Sequence, residues 1–301
     1  MANYEMSPSR TFRGALGALA LAGALFVAGT SEGTETAKRT GSLDTGTFTL
    51  LTYNVAGLPE LVSESDPVAN IPIISSLLNL YDVALVQEDF AYHDALAAHA
   101  SHQYQSPALV PNEHVGIGDG LNEFSRFPYS HFERVTWSNC NGRLSDGSDC
   151  LAPKGFTVAT HDFGNGVEVD LYNVHLDAGH STGDFAARST QLDQLLSYVG
   201  KHSAGKAVII AGDTNMSRDS EDLVAAWLKR AGLTDACRAL ACDNPNRIDR
   251  VMYRSSSALE LRAVRVLVDS RFVTKDGKDL SDHKAVGTLM EWRKTTRTAS
   301  R

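Results

Sequence analysis

Cysteine is scarce in this chain, and its placement excludes a common structural staple. Four cysteines occur in 301 residues, with no Cys-x-x-Cys pair and no histidine pair beside any of them. Zinc-knuckle and zinc-ribbon scaffolds are therefore excluded. Lysine and arginine gather in no stripe, and the formal net charge is −8. A grip on a polyanion needs clustered cations, so no stable nucleic-acid complex is expected. Acidity does not exclude a small phosphate-bearing substrate held through a metal. There is no internal repeat and no low-complexity block after the N-terminal region, which excludes solenoids and arrays. The one long apolar run, "GALGALALAGALFVAG" (14–29), is too short to cross a bilayer comfortably.

Arg10 and Arg13 precede that run, and Val27, Ala28 and Gly29 close it. A basic start, a short apolar core and small residues read as a Sec-type secretory signal peptide over 1–30, with a retained N-terminal anchor as the alternative. Residues 31–45 are polar and read as a flexible tether. The folded domain is expected over 46–295, followed by a disordered tail at 296–301. Removing 1–30 takes away two Arg and one Glu, so the remaining chain is more acidic still. In a secreted protein an even cysteine count favours disulfides. Of three connectivities, proximity in the chain favours Cys140–Cys150 with Cys237–Cys242.

What the chain has in quantity is β-branched and small apolar runs that end in polar residues. In "VIIAGDTNMS" (208–217) the missing alternation predicts a strand buried on both faces, and Gly212 lets the backbone turn. Further strand signals are "TFTLLTYNVAG", "DVALVQED", "HFERVTWSN", "GFTVATHDF", "VEVDLYNVHL", "RIDRVMYRS", "LRAVRVLVDS" and "AVGTLMEW". The turn at Gly164, Asn165 and Gly166 predicts a hairpin. Apolar residues at i, i+3 and i+4 predict helices in "DPVANIPIISSLLNL", "YHDALAAHA", "DFAARSTQLDQLLSYVGKH" and "SEDLVAAWLKRAG", the last with Trp227 in the core. Hairpins mixed with helical crossovers imply mixed sheets. Two such sheets face to face, with helices outside, would bury most of these runs as a layered α/β sandwich.

The strand ends share one property. Asn54 stands in "TYNVAG", Glu88 in "VQED", His175 in "NVHLDAG", and Asp213 with Asn215 in "GDTN"; Asp249 stands in "NRIDRVMY", and Asp282 with His283 in "LSDHKAV". One such residue is a turn or a cap. Six segments in one domain exceed what turns explain. In this order the set resembles the endonuclease/exonuclease/phosphatase superfamily, the DNase I-like metal-dependent phosphoesterases, over 47–292. Within it, "YNVAGLP", "GDGLNEFSRFPY", "CLAPKGF" and "HLDAG" followed by "RSTQLDQL" resemble the secreted sphingomyelinase-like branch, with "PKGF" the most telling.

The resemblance implies a four-layered α/β/β/α sandwich of two mixed sheets. It implies a secreted, monomeric phosphodiesterase that needs Mg2+, with Mn2+ or Co2+ able to substitute, and that hydrolyses a phosphodiester by in-line attack of water. Release of a phospholipid headgroup from a membrane lipid, as by a sphingomyelinase C, is the expected reaction. The alternative is an extracellular nuclease or a phosphatase of soluble phosphoesters, for which the cations and aromatics that grasp a strand are missing. A binding module that keeps the fold without catalysis is disfavoured, because the whole His and Asp set is present.

Hard oxygen donors suit Mg2+. The resemblance makes Glu88 the principal metal ligand, helped by Asn54, with Asp282 near the metal. His283 is expected as the general base, because its ordinary pKa lies near working pH. Asp249, at the start of a neighbouring strand, is expected to orient it. Asp213 and Asn215 would align the attacking water and hold a phosphoryl oxygen, and His175 would bind the phosphate. By the same resemblance Lys154 is buried or faces the site. Arg188 is expected to pair with a loop acid, and the other histidines are read as occupants of helices, loops or turns. The branch's aromatic-rich hairpin before "SDH" is replaced here by "VDSRFVTKDGKDLSDH", with Phe272 as its single aromatic. Lipid contact is thereby left to "GLPELV" or Trp137.

Overall fold

A computed structural model describes residues 44–295, apart from 62, 64, 110–116, 143–148 and 245–246. The expected signal peptide and tail lie outside the described residues, as does the tether except for its last two positions. Thr45 already belongs to the first strand, paired with Arg293.

The first half of the described chain runs β1 (Thr45–Asn54), α1 (Pro67–Leu78), β2 (Val83–Gln87), α2 (His93–Ala97), β3 (Tyr104–Gln105), β4 (Asn122–Ser125), β5 (Tyr129–Thr136) and β6 (Gly155–Asp162). There follow β7 (Glu168–His175), α3 (Thr182–His202), β8 (Val208–Asp213), α4 (Glu221–Ala231), β9 (Thr234–Asp235), α5 (Ala236–Ala239), β10 (Asp249–Arg254), β11 (Leu259–Val268) and β12 (Val286–Lys294). They form two six-stranded mixed sheets, in the orders β11-β12-β1-β2-β4-β3 and β5-β6-β7-β8-β10-β9. The short strands β3, β4 and β9 are too brief for any periodicity to announce them, and the sequence reading does not contain them.

Three apolar layers hold the elements. Between the sheets lie Phe48, Leu85, Leu171, Ile209 and Trp292 with their neighbours. The outer face of the first sheet packs Leu51, Tyr53 and Val86 on Ile71, Ile74 and Leu78 of α1 and Leu96 of α2. The outer face of the second packs Tyr172 and Ile210 on Leu192 and Leu195 of α3 and Trp227 of α4. This is the four-layered α/β/β/α sandwich the resemblance implies.

Local chemistry sets the helix starts. Asp66 accepts from the Ala69 amide at 3.1 Å and Pro67 opens α1, where its missing N–H costs nothing. A capping box opens α3: the Ser181 amide donates to Asp184 and the Asp184 amide donates back to the Ser181 hydroxyl. The disulfides are Cys140–Cys150 and Cys237–Cys242, with Cα separations of 5.4 and 5.0 Å, as proximity suggested. No helix among the described residues is long and apolar enough to cross a membrane.

Candidate active site

Strand register assembles the site. β1 runs parallel to β2 with Asn54 opposite Gln87, one residue before Glu88. β7 runs parallel to β8 with His175 opposite Asp213, and antiparallel β10 sets Asp249 opposite the same Asp213. The carboxyl ends of four strands and the start of a fifth therefore open at one edge, where strand ends leave backbone and side chains free for ligands. Gly212 lets β8 come this close to β7: at φ +147°, an added Cβ would lie 2.0 Å from the Val174 carbonyl oxygen.

The two sheets meet through side chains. Asn54 Nδ2 donates to Glu88 Oε1 at 3.0 Å and to Asp213 Oδ2 at 3.2 Å, joining residues 159 apart in sequence. His175 Nε2 stands 3.4 Å from Asp213 Oδ2 and 3.8 Å from Glu88 Oε1. His283 Nε2 stands 3.6 Å from Asp213 Oδ2, while its Nδ1 lies 3.1 Å from each oxygen of Asp249. The Asn215 amide N–H donates to Asp213 Oδ1 at 2.9 Å, and its side chain donates to the Leu176 carbonyl. Ser281 ties the His283 loop to the Asn54 carbonyl at 2.8 Å. Seven of the eight expected site residues thus form one chain of contacts. Asp282 stands at its exposed rim, where its Oδ1 faces the Ser281 hydroxyl.

Burial gives these groups distinct electrostatics. It pulls the His175 imidazole well down, with the charges of Lys154 and His283 adding to the effect, so His175 is neutral. Burial pushes Glu88 up, opposed by the Lys154 ammonium and the Asn54 hydrogen bond. Asp213 is also raised by burial, against the charge of His283. Burial pulls on His283 in the opposite direction, but the Asp249 hydrogen bond and the charges of Asp213 and Asp249 outweigh it and hold His283 up at about 10. The ordinary value assumed from sequence does not survive two carboxylates at this range.

Lys154 brings a positive charge that acts on Glu88, His175 and Asp213. Its Nζ donates to Asp149 Oδ1, and Asp149 Oδ2 accepts from the Ala178 amide at 2.9 Å. The Cys140–Cys150 bridge closes the same loop. Asp149, which opens a single 3-10 turn, and Asp177, in the loop after His175, went unmarked in the sequence because a lone acid carries no spacing signal. Arg188 corrects its expectation: fully buried, it donates through Nη1 to the carbonyls of Asp177, Ala178 and Gly179 instead of to a carboxylate. It thereby clamps the loop that follows His175. Trp137 is buried, with its indole N–H on the His175 carbonyl at 2.7 Å, so it is packing and not a lipid contact. Phe272 is buried against Tyr53. His161 and His131, grouped with the histidines of helices, loops or turns although each falls in a strand signal, lie inside β6 and β5.

The donor set fits a hard divalent cation. The carboxyl groups of Glu88 and Asp213 converge on Asn54 Nδ2, whose own Oδ1 accepts from the Ala56 amide at 3.0 Å, so the oxygens offered here are carboxylate oxygens, which suit a small hard cation and ionise beside one. Atoms of Asp213, Asp249 and His283 also lie within 4.8 Å of one another. There, however, Asp249 already faces His283 Nδ1 with both oxygens, so a cation would have to displace that pairing.

A model described as the Endonuclease/Exonuclease/phosphatase family matches residues 51–283. The sphingomyelinases of Mycobacterium tuberculosis and Mycobacterium bovis are each 34% identical over 264 residues, covering 79% of this chain and 51% of theirs. The chain thus spans about half the length of these curated relatives. Sphingomyelinase C from Streptomyces griseocarneus superposes with a TM-score of 0.60 at 20% identity, covering 81% of this chain and 99% of that one. A beta toxin variant from Staphylococcus aureus, solved with bound magnesium ions, gives 0.61 at 17% identity, covering 81% and 99%. At these identities the likeness is one of fold. With its model matched over most of the domain and the strand-end set in place, the chain belongs to the endonuclease/exonuclease/phosphatase family.

Proposed function

We propose that the protein is a secreted, Mg2+-dependent phosphodiesterase of the sphingomyelinase C type, releasing the headgroup of a membrane phospholipid. The observation that carries this is the convergence of Glu88, Asn54, neutral His175, Asp213 and the His283–Asp249 pair on one edge of the sandwich. The sphingomyelinase name of the mycobacterial relatives supports the lipid substrate. The two disulfides support an oxidising compartment.

Glu88, helped by Asn54, would hold the cation, and Asp282 adds negative charge from the rim. When bound, the cation neutralises the phosphoryl oxygens and lowers the repulsion an incoming nucleophile meets. His283 Nε2 faces the open side of Asp213 and takes the proton of the attacking water, while Asp249 fixes the ring by accepting Nδ1–H. His283 acts as a base in its neutral form, and a cation held at Glu88 would oppose its protonation and lower the value that Asp249 and Asp213 hold up. Asp213 and Asn215 orient the water. Neutral His175 donates a hydrogen bond to a phosphoryl oxygen or to the leaving oxygen, where charge develops.

The test offers the purified protein sphingomyelin vesicles, plasmid DNA and inositol phosphates side by side, with Mg2+ or with EDTA. Phosphocholine release that needs Mg2+ is expected, with Glu88→Gln folded and severely impaired. Cleavage of DNA or inositol phosphates in place of sphingomyelin would move the protein to the nuclease or phosphatase reading. Turnover indifferent to EDTA would sink the metal assignment.

A further inference from the structure

Glu88 sits on a strained turn. Its backbone lies at φ +57°, the left-handed region that L-residues with a Cβ avoid. The turn has a consequence for direction. In β2, Val83 and Leu85 face the inter-sheet layer, as does Gln87, which donates to Asn173 of the opposite sheet at 2.6 Å. Ala84 and Val86 face the helices. A strand continued by one residue would send position 88 to the helix-covered side with them. The left-handed turn instead carries the Glu88 carboxylate to Asn54.

The backbone hydrogen bonds around the turn link it to two loops. The Gly57 and Phe90 amides both donate to the Glu88 carbonyl at 2.9 Å, and the Asp89 amide donates to the Gly120 carbonyl at 3.0 Å. One side chain then fixes the turn from below. Asp89 is buried, and its Oδ2 accepts from His93 Nδ1 at 2.6 Å and from Asn122 Nδ2 at 2.7 Å. His93 opens α2 and Asn122 opens β4, so one carboxylate oxygen pins the residue after Glu88 to a helix and a strand at once. Asn122 is itself held: its Oδ1 accepts from Arg134 Nη2 at 2.7 Å, and Arg134 reaches both oxygens of Asp119. The other oxygen, Asp89 Oδ1, meets no donor among the described residues. A buried carboxylate with one free oxygen is a poor choice for stability alone. What it secures is the direction of the peptide joining residues 88 and 89.

We propose that Asp89 is a positioning residue for the cation site, holding Glu88 in the turn that aims its carboxylate at Asn54 and Asp213. The proposal rests on the reading of Glu88 as the cation ligand. The side-chain hydrogen bonds of Asp89 go to His93 and Asn122, neither of them a group assigned to the chemistry.

Mg2+ binding is measured by titration calorimetry on the purified chain, alongside turnover as a function of Mg2+ concentration. Asp89→Ala is expected to weaken Mg2+ binding about 10–100-fold, the range for groups that orient a ligand from behind. The Mg2+ concentration for half-maximal turnover rises by the same factor, while kcat at saturating Mg2+ changes far less. Asp89→Asn keeps one oxygen that can accept from both His93 and Asn122, and restores most of the affinity. Native-like Mg2+ affinity in Asp89→Ala, with binding lost in Glu88→Gln, overturns the positioning role and leaves the ligand reading intact. Native-like affinity in Glu88→Gln overturns both. If Asp89→Ala fails to fold, His93→Ala decides: it removes one of the two donors at a partly exposed helix start. Weakened Mg2+ binding in it supports the proposal, and unchanged binding overturns it.

Discussion

His283 and Asp249 form one unit at the residue scale, because both carboxylate oxygens of Asp249 lie 3.1 Å from the same ring nitrogen. Their losses should therefore not add. His283→Ala is expected to lower turnover by about 10²–10⁴-fold, the contribution of a general base. Asp249→Asn lowers it less, since the imidazole remains but is held in the wrong tautomer for part of the time. The double variant should fall no further than His283→Ala by more than a small factor. Steady-state kinetics on the four proteins decides the matter, and a double loss equal to the product of the single losses would separate the two residues. The pairing itself was legible in sequence as one acid and one imidazole at neighbouring strand boundaries. The charge state of His283 was not, because it depends on Asp213, which comes from a third strand.

At the element scale, β4 and β6 face each other across the inter-sheet layer through a buried pair outside the site. Glu123 and His161 are 3.9 Å apart, and both Glu123 oxygens lack a hydrogen-bond partner among the described residues. Burial pushes Glu123 up to about 8, with Arg134 opposing, and pulls His161 down to about 4. Both groups are thus neutral in the folded protein near neutral pH. A carboxyl raised from 4.5 keeps a proton that the unfolded chain releases, so Glu123 costs stability progressively as pH rises from about 4.5 to about 8. An imidazole lowered from 6.5 refuses a proton that the unfolded chain binds, so His161 costs stability as pH falls from about 6.5 to about 4. Thermal melts across this range should show a shallower decline above about pH 6.5 in Glu123→Gln, and a shallower decline below it in His161→Phe. A slope in Glu123→Gln as steep as in the native protein would show that the carboxyl is not buried in neutral form. The strand signal "GFTVATHDF" already contained His161, but that its imidazole is fully buried and faces Glu123 was decided by the packing of the two sheets.

The whole molecule stands on the layer between the sheets, since neither sheet has its inner face covered without the other. Leu85 of β2 is fully buried there. Leu85→Ala should cost about 2–5 kcal/mol through lost burial and a residual cavity. For a domain of this size each kcal/mol lowers Tm by about 2–4 °C. Calorimetry should show a single transition shifted down, with turnover per folded molecule at low temperature close to native. Two separated transitions, one sheet melting before the other, would contradict a shared core. The site depends on this layer as well, because it draws Asn54 and Glu88 from one sheet and His175, Asp213 and Asp249 from the other.

The amino-acid sequence by itself determined what is local: apolar runs that become strands, the Asn or acid at the end of each, the capping of α1 and α3, and disulfides between the nearest cysteines. These follow from periodicity, turn chemistry and chain proximity, which act over a few residues. The order of the strand-end motifs carried the family. Only the tertiary structure decided that Asn54 bridges Glu88 to Asp213, that Asp89 is fastened beneath the turn at Glu88, and that Arg188 holds carbonyls where an acid had been expected. It alone set His175 neutral and raised His283. Those properties belong to no segment. Burial and electric field at a point are sums over every element packed around it, and here the elements that contribute come from both sheets and lie more than a hundred residues apart.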